Sequence, residues 1–157
     1  AGPLRDVADA ADLARVEAMR DRWRASSVRP AYRGLVTLAE EGTVQGELGV
    51  GTRAARLATE LYPDSDAAHG ILGVLAVIAG DRAGGESLIR KAATFDPEGY
   101  VSPSELVSIA NTLARRGARS AAIALIEIGI GLYPSDPALQ ARLAQLHRDA
   151  DPADIPH

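Results

Sequence analysis

Leu61-Tyr62-Pro63, Phe95-Asp96-Pro97 and Leu132-Tyr133-Pro134 close three similar blocks of this 157-residue chain. In each, an apolar helical pattern runs out and a proline forbids its continuation. The three prolines fall 34 and 37 residues apart. A period near 34, closed in this way, marks helical hairpins that cannot bury their apolar faces singly and must stack on one another.

Working outward, the middle block is the most regular. Asp66 opens a helix to about Ala79, Gly80-Asp81 makes the turn, and Gly84 to Phe95 form the return helix. Gly80 suits a helix C-terminus, where a positive φ costs glycine little. The third block opens at Ser102-Pro103-Ser104-Glu105. Serine as N-cap, proline at the first helical position and glutamate three after the cap make a strong helix start. That helix runs to Arg116, turns at Gly117 and returns from Ala118 to about Leu132. The three extra residues of the 37-residue interval fit in the connection around Glu98–Ser102.

The first block is less regular, with helices predicted over about 32–41 and 52–62 and a glycine-rich passage between them (Gly42, Gly46, Gly49, Gly51). Upstream, residues 4–25 read as a helix with Leu13, Val16, Met19 and Trp23 on one face, ending before Pro30. Downstream, a capping helix is predicted over about 137–148, with Leu139, Leu143 and Leu146 inward. The chain thus divides into an N-terminal helix and linker (1–31), a repeat domain (32–148) and a tail (149–157) expected to be disordered.

Composition agrees with an all-α fold and narrows the function. With one Phe, one Trp and four Tyr, the core must be built from Leu, Ile, Val and Ala. No segment alternates apolar and polar residues as a strand would. A net charge of −4 disfavours nucleic acid, which needs a concentrated basic face. Without cysteine there are no disulfides, thiolate metal sites or cysteine nucleophiles. The richest apolar run, Ile71–Ala79, is too short to cross a membrane, so no membrane insertion is expected. The start, Ala1-Gly2-Pro3, has neither an initiator methionine nor a signal peptide, and we read it as an excised domain or a processed product. Every basic residue but Lys91 is arginine; with the abundant alanine and glycine, this points to a GC-rich bacterial gene.

The blocks resemble tetratricopeptide repeats. Counting the residue 31 before each closing proline as position 1, the second block places Leu72-Gly73, Gly80, Ala92 and Pro97 where that family prefers them. The third places Ile109-Ala110, Gly117, Ala122, Gly129 and Pro134, and the first Leu38-Ala39, Ala58 and Pro63. Gly42 and Gly51 depart from the pattern, and His69 stands where the family has tryptophan. The resemblance implies an α-solenoid of three hairpins with an N-terminal helix and a C-terminal cap. It also implies a concave groove lined by the first helix of each hairpin. Carried over, the lining is Arg33, Val36 and Glu40, then Val74, Val77 and Ile78, then Val107, Asn111 and Arg115. Val36, Glu40 and Ile71 fall where chaperone-tail-binding members carry a lysine–asparagine carboxylate clamp, so that clamp is absent. The run from Ser104-Glu105-Leu106 to Leu132-Tyr133-Pro134-Ser135 is also similar to repeat tails of some bacterial serine hydrolases of the β-lactamase type.

Catalytic motifs are missing. Gly46–Arg53 has the outline of a phosphate loop, but Thr52 stands in place of the lysine and helix, not strand, precedes it. A hairpin turn is the better reading, with anion capture by the amides of the next helix as the remainder. His69 and His147 read as packing or surface residues, and Asp64, Asp66 and Asp81 as helix caps. Ser87 is followed by Arg90 rather than lysine, which removes a Ser-x-x-Lys nucleophile. Arg115, Arg116 and Arg119 read as a solvated turn at a helix end.

The expectation is a non-enzymatic protein-interaction scaffold without metal or cofactor, taking a peptide or helix in an apolar groove. The alternative is an accessory domain packed on the catalytic domain of its own parent hydrolase. Val74, Val77, Ile78 and Val107 would be costly in water, at about 25 cal/mol per Å² of apolar surface. Either the chain's own N-terminal helix or an outside partner would cover them.

Overall fold

A computed structural model of the chain describes residues 30–45 and 47–150. The expected helix over 4–25 lies outside the described residues, as do Gly46 and residues 151–157. Among the described residues there are seven helices and no strand: α1 (Pro30–Gln45), α2 (Leu48–Leu61), α3 (Asp66–Ile78), α4 (Arg82–Phe95), α5 (Pro103–Arg115), α6 (Arg119–Leu132) and α7 (Pro137–Ala150). They pack as the hairpins α1/α2, α3/α4 and α5/α6, and α7 lies against α5 and α6.

Local chemistry sets the helix ends. Ser65 caps α3 by accepting the Ala68 N–H at 3.0 Å, and Asp81 caps α4 by accepting the Gly84 N–H at 2.9 Å. Ser102 caps α5 through the Glu105 N–H at 3.4 Å, with Pro103 in the first turn. Gly80 (φ 96°) and Gly117 (φ 84°) close α3 and α5 in the left-handed conformation that glycine adopts without strain.

The first hairpin departs from the reading of the sequence. The glycine-rich passage is not a long loop: α1 continues to Gln45 and α2 begins at Leu48. A Cβ on Gly42 would fall 2.7 Å from the Gly51 Cα, so these glycines form the crossing of the two helices. The last helix also runs on to Ala150, past the expected end at Arg148.

α3 sits at the centre of the packing, touching α1, α2, α4 and α6. Ile71 and Leu75 join Leu35, Leu48 and Ala54 in one interior cluster. Val74 and Val77 join Ile89, Leu106, Leu125 and Ile126 in a second. The joints between hairpins are not equivalent. The first hairpin meets α3 through both α1 and α2, whereas the second hairpin meets the third mainly through α6. At this irregular joint lies the linker Pro97–Ser102, whose Tyr100 packs against both clusters.

Candidate functional site

The nine residues carried over as a groove do not share one open face. Val74 and Val77 are 1% and 5% exposed and lie in the interior. Ile78 and Val107 are half-buried against the second cluster, and Val36 and Ile78 against the first. Asn111 is half-buried, while Arg115 is exposed and donates from Nη2 to the Thr112 hydroxyl at 3.3 Å. The Arg33 side chain lies outside the described residues. The reason is physical: α3 is apolar nearly all round, and such a helix belongs in the middle of a fold. Its Val74/Val77 face belongs to the same interior cluster as the residues of α5 and α6, so the chain covers its own costly row.

Of the carried-over residues, Glu40 lines an open cleft among the described residues. This cleft, of about 210 Å³, lies between Glu40 and Thr43 of α1 and Glu105, Ser108, Ile109 and Thr112 of α5, with Tyr100 beside them and Arg116 lining it too. Burial, and next the Glu105 carboxylate, push the Glu40 carboxyl above the usual glutamate range. Burial, and then the charges of Glu40 and Glu105, push the Tyr100 phenol well above its ordinary value. Two carboxylates and a phenol therefore feel one another within one concavity.

The position of Tyr100 is built by three non-local contacts. Its backbone N–H donates to Asp66 Oδ2 at 2.8 Å, tying the linker to the first turn of α3. The Tyr133 hydroxyl lies 3.1 Å from the Pro97 carbonyl and 3.0 Å from that of Val101, so its one proton serves either end of the linker. One edge of the Tyr100 ring rests on Gly70, where a Cβ would come within 2.6 Å of Cδ1. Glu105 faces the cleft for a related reason. The Ser102 N–H donates to the Gly99 carbonyl at 3.2 Å, so the glutamate is not needed to close the other half of a capping box. The sequence reading missed Tyr100. Its trace was the 37-residue interval, whose extra residues fall at this linker.

The other candidates resolve into structural roles. His69 Nδ1–H donates to the Ser65 carbonyl at 2.8 Å, and its ring packs 5.3 Å from that of Phe95. Leu48 and Val50 are buried, and a Cβ on Gly51 would stand 3.2 Å from the Ala39 carbonyl oxygen and 3.3 Å from the Gly42 Cα, so the described part of that segment, from Glu47 onward, packs at the helix crossing. Arg119 donates to the Asp149 carbonyl near the end of α7. Of the aspartates, Asp81 caps a helix while Asp66 anchors Tyr100. A second cleft of about 290 Å³ lies over Leu72, Leu75 and Ala76, flanked by Arg56 of α2 and by Asp81. Among the described residues no group of His, Asp or Glu is arranged to hold a metal, and no helix is long and apolar enough to cross a membrane. No family model matches this chain, and no curated protein matches it either.

Proposed function

We propose that this chain is a protein-interaction module of the tetratricopeptide type, without catalysis of its own, that takes a peptide segment in the cleft between α1 and α5. The cleft beside Tyr100 is the observation that carries the reading. Prolines at the ends of three stacked hairpins, glycines of positive φ at two turns, and small residues at the crossings support the repeat type. Peptide recognition by helical scaffolds uses a groove with a few polar groups that fix register, and this cleft mixes Ile109 and Leu113 with hydroxyls and carboxylates.

Random peptides displayed on phage and selected against the folded chain test this. Enriched peptides should bind the chain reversibly and lose binding when Ser108→Trp fills the cleft. Absence of enrichment, or binding indifferent to that substitution, would overturn the reading.

A further inference from the structure

Val74 and Val77 of α3 share their cluster with residues of α5 and α6, so the stripe Leu13, Val16, Met19 and Trp23 is not needed to cover them. One edge of α2 does call for a cover. Val50 is 2% exposed, yet neither interior cluster of the described residues includes it. Leu57 and Leu61 follow Val50 along the same edge of the helix, seven and eleven residues on, and join it to the first cluster. Glu47 and Glu60, at the two ends of α2, are both engaged, and the ion pairs Arg82–Glu127 and Arg90–Glu86 do not involve them.

We propose that this edge of α2 is the seat of the chain's own residues 13–23, whose apolar stripe covers Val50, Leu57 and Leu61. The seat is independent of what the cleft between α1 and α5 takes. Its length is right: along a helix, Leu13 to Trp23 spans about 15 Å and Val50 to Leu61 about 16 Å. The connection is right as well. Residues 26–29 lead into Pro30, and the α1/α2 hairpin brings the start of α1 back to the end of α2. Trp23 then falls to the Leu61 end and Leu13 to the Val50 end. Charge agrees, since Arg15, Arg20, Arg22 and Arg24 outnumber Glu17 and Asp21 in this stretch, opposite Glu47 and Glu60. Tethering favours the chain's own segment over a foreign helix, because a short linker gives it an effective concentration on the order of millimolar. The segment would supply at the leading end of the stack the terminal cap that such arrays require.

The chain has no cysteine, so a single nitroxide can be placed by substitution. Arg53→Cys labels an exposed position of α2 near this edge, and Arg148→Cys labels an exposed position of α7. In the full ¹⁵N-labelled chain, the label at 53 should broaden the amides of residues 13–23, and the label at 148 should leave them sharp. Val16→Asp combined with Met19→Asp alters no described helix; it should abolish the broadening and lower Tm by about 5 °C. Absent broadening from position 53, equal broadening from both positions, or an unchanged Tm in the doubly substituted chain would overturn the seat. A mixture of cysteine-free ¹⁵N chain with ¹⁴N chain carrying the nitroxide at 53 should show no broadening. Broadening in that mixture would mean that a second copy fills the edge, and the chain's own segment would be ruled out as its occupant.

Discussion

The Asp66 carboxylate accepts the backbone N–H of Tyr100 at 2.8 Å, joining two residues separated by one repeat length of 34 positions. From the other side, the Tyr133 hydroxyl reaches the carbonyls of Pro97 and Val101. The linker that carries Tyr100 is therefore held between the start of α3 and the end of α6. Asp66→Ala should destabilise the chain by about 2 kcal/mol, because a charge-assisted bond to a half-buried amide is lost. Tyr133→Phe should cost about 1 kcal/mol. Since both act on one linker, the double variant should fall short of the sum by at least about 0.5 kcal/mol. Urea unfolding of the four proteins measures this coupling, and strict additivity would refute the shared clamp.

Gly70→Ala sets two effects against each other. Alanine improves the helix by about 1 kcal/mol. The added Cβ, however, would stand 2.6 Å from Tyr100 Cδ1 and 2.9 Å from Val101 Cγ1, and overpacking of that kind costs about 1–3 kcal/mol. Val101 is fully buried and has nowhere to retreat, so the clash should win. Thermal unfolding should show a lower Tm for Gly70→Ala; a raised Tm would mean that the linker yields freely and that Tyr100 is not fixed.

How far the sequence discloses this arrangement depends on the range of the interaction concerned. The hairpin ends at Tyr62, Phe95 and Leu132, the Ser102 cap and the turns at Gly80 and Gly117 are local choices, visible in a few neighbouring residues. Gly42 and Gly51 look like loop residues in the sequence because their use, a backbone crossing, needs the partner helix to be seen. The burial of Val74 and Val77 was illegible for a related reason. A helix carrying Ile71, Leu72, Val74, Leu75, Val77 and Ile78 has no single apolar face from which to infer its neighbours. Tyr100 stands in the irregular interval of the repeat, where the family pattern says nothing, and the bond to Asp66 that positions it lies outside any local window.

Glu40 makes the stability of the chain depend on pH in a definite direction. Its native carboxyl holds a proton to higher pH than the unfolded one, through burial first and Glu105 second. Between the unfolded glutamate value of about 4.3 and its own raised value, the native state therefore binds more protons, and this group's contribution falls as pH rises through that window. Glu40→Gln removes the burden. The variant should be more stable than the parent at pH 7, and the difference should shrink as pH is lowered toward 4. Tm values across that range, compared pairwise, check the sign; a Glu40→Gln protein less stable at pH 7 would contradict it.

Alkaline titration probes the same cleft from its phenol. Burial and the two glutamates hold the Tyr100 proton in the native state, and burial followed by Asp96 does so for Tyr133. In the unfolded chain both phenols ionise near pH 10. Above that pH the native state carries more protons, so stability declines as pH rises, and the decline continues until the native phenols themselves ionise or the chain unfolds. Absorbance at 295 nm counts the phenolates while circular dichroism follows the helices. The Tyr100 phenolate signal, assigned by its loss in Tyr100→Phe, should emerge together with the loss of helix rather than before it. Tyr100→Phe should also retain its helices to higher pH than the parent, since the ring still packs on Gly70 and the proton that unfolding releases is gone. A Tyr100 signal titrating near pH 10 in an intact helical protein would place the phenol in open water rather than buried beside Glu40 and Glu105.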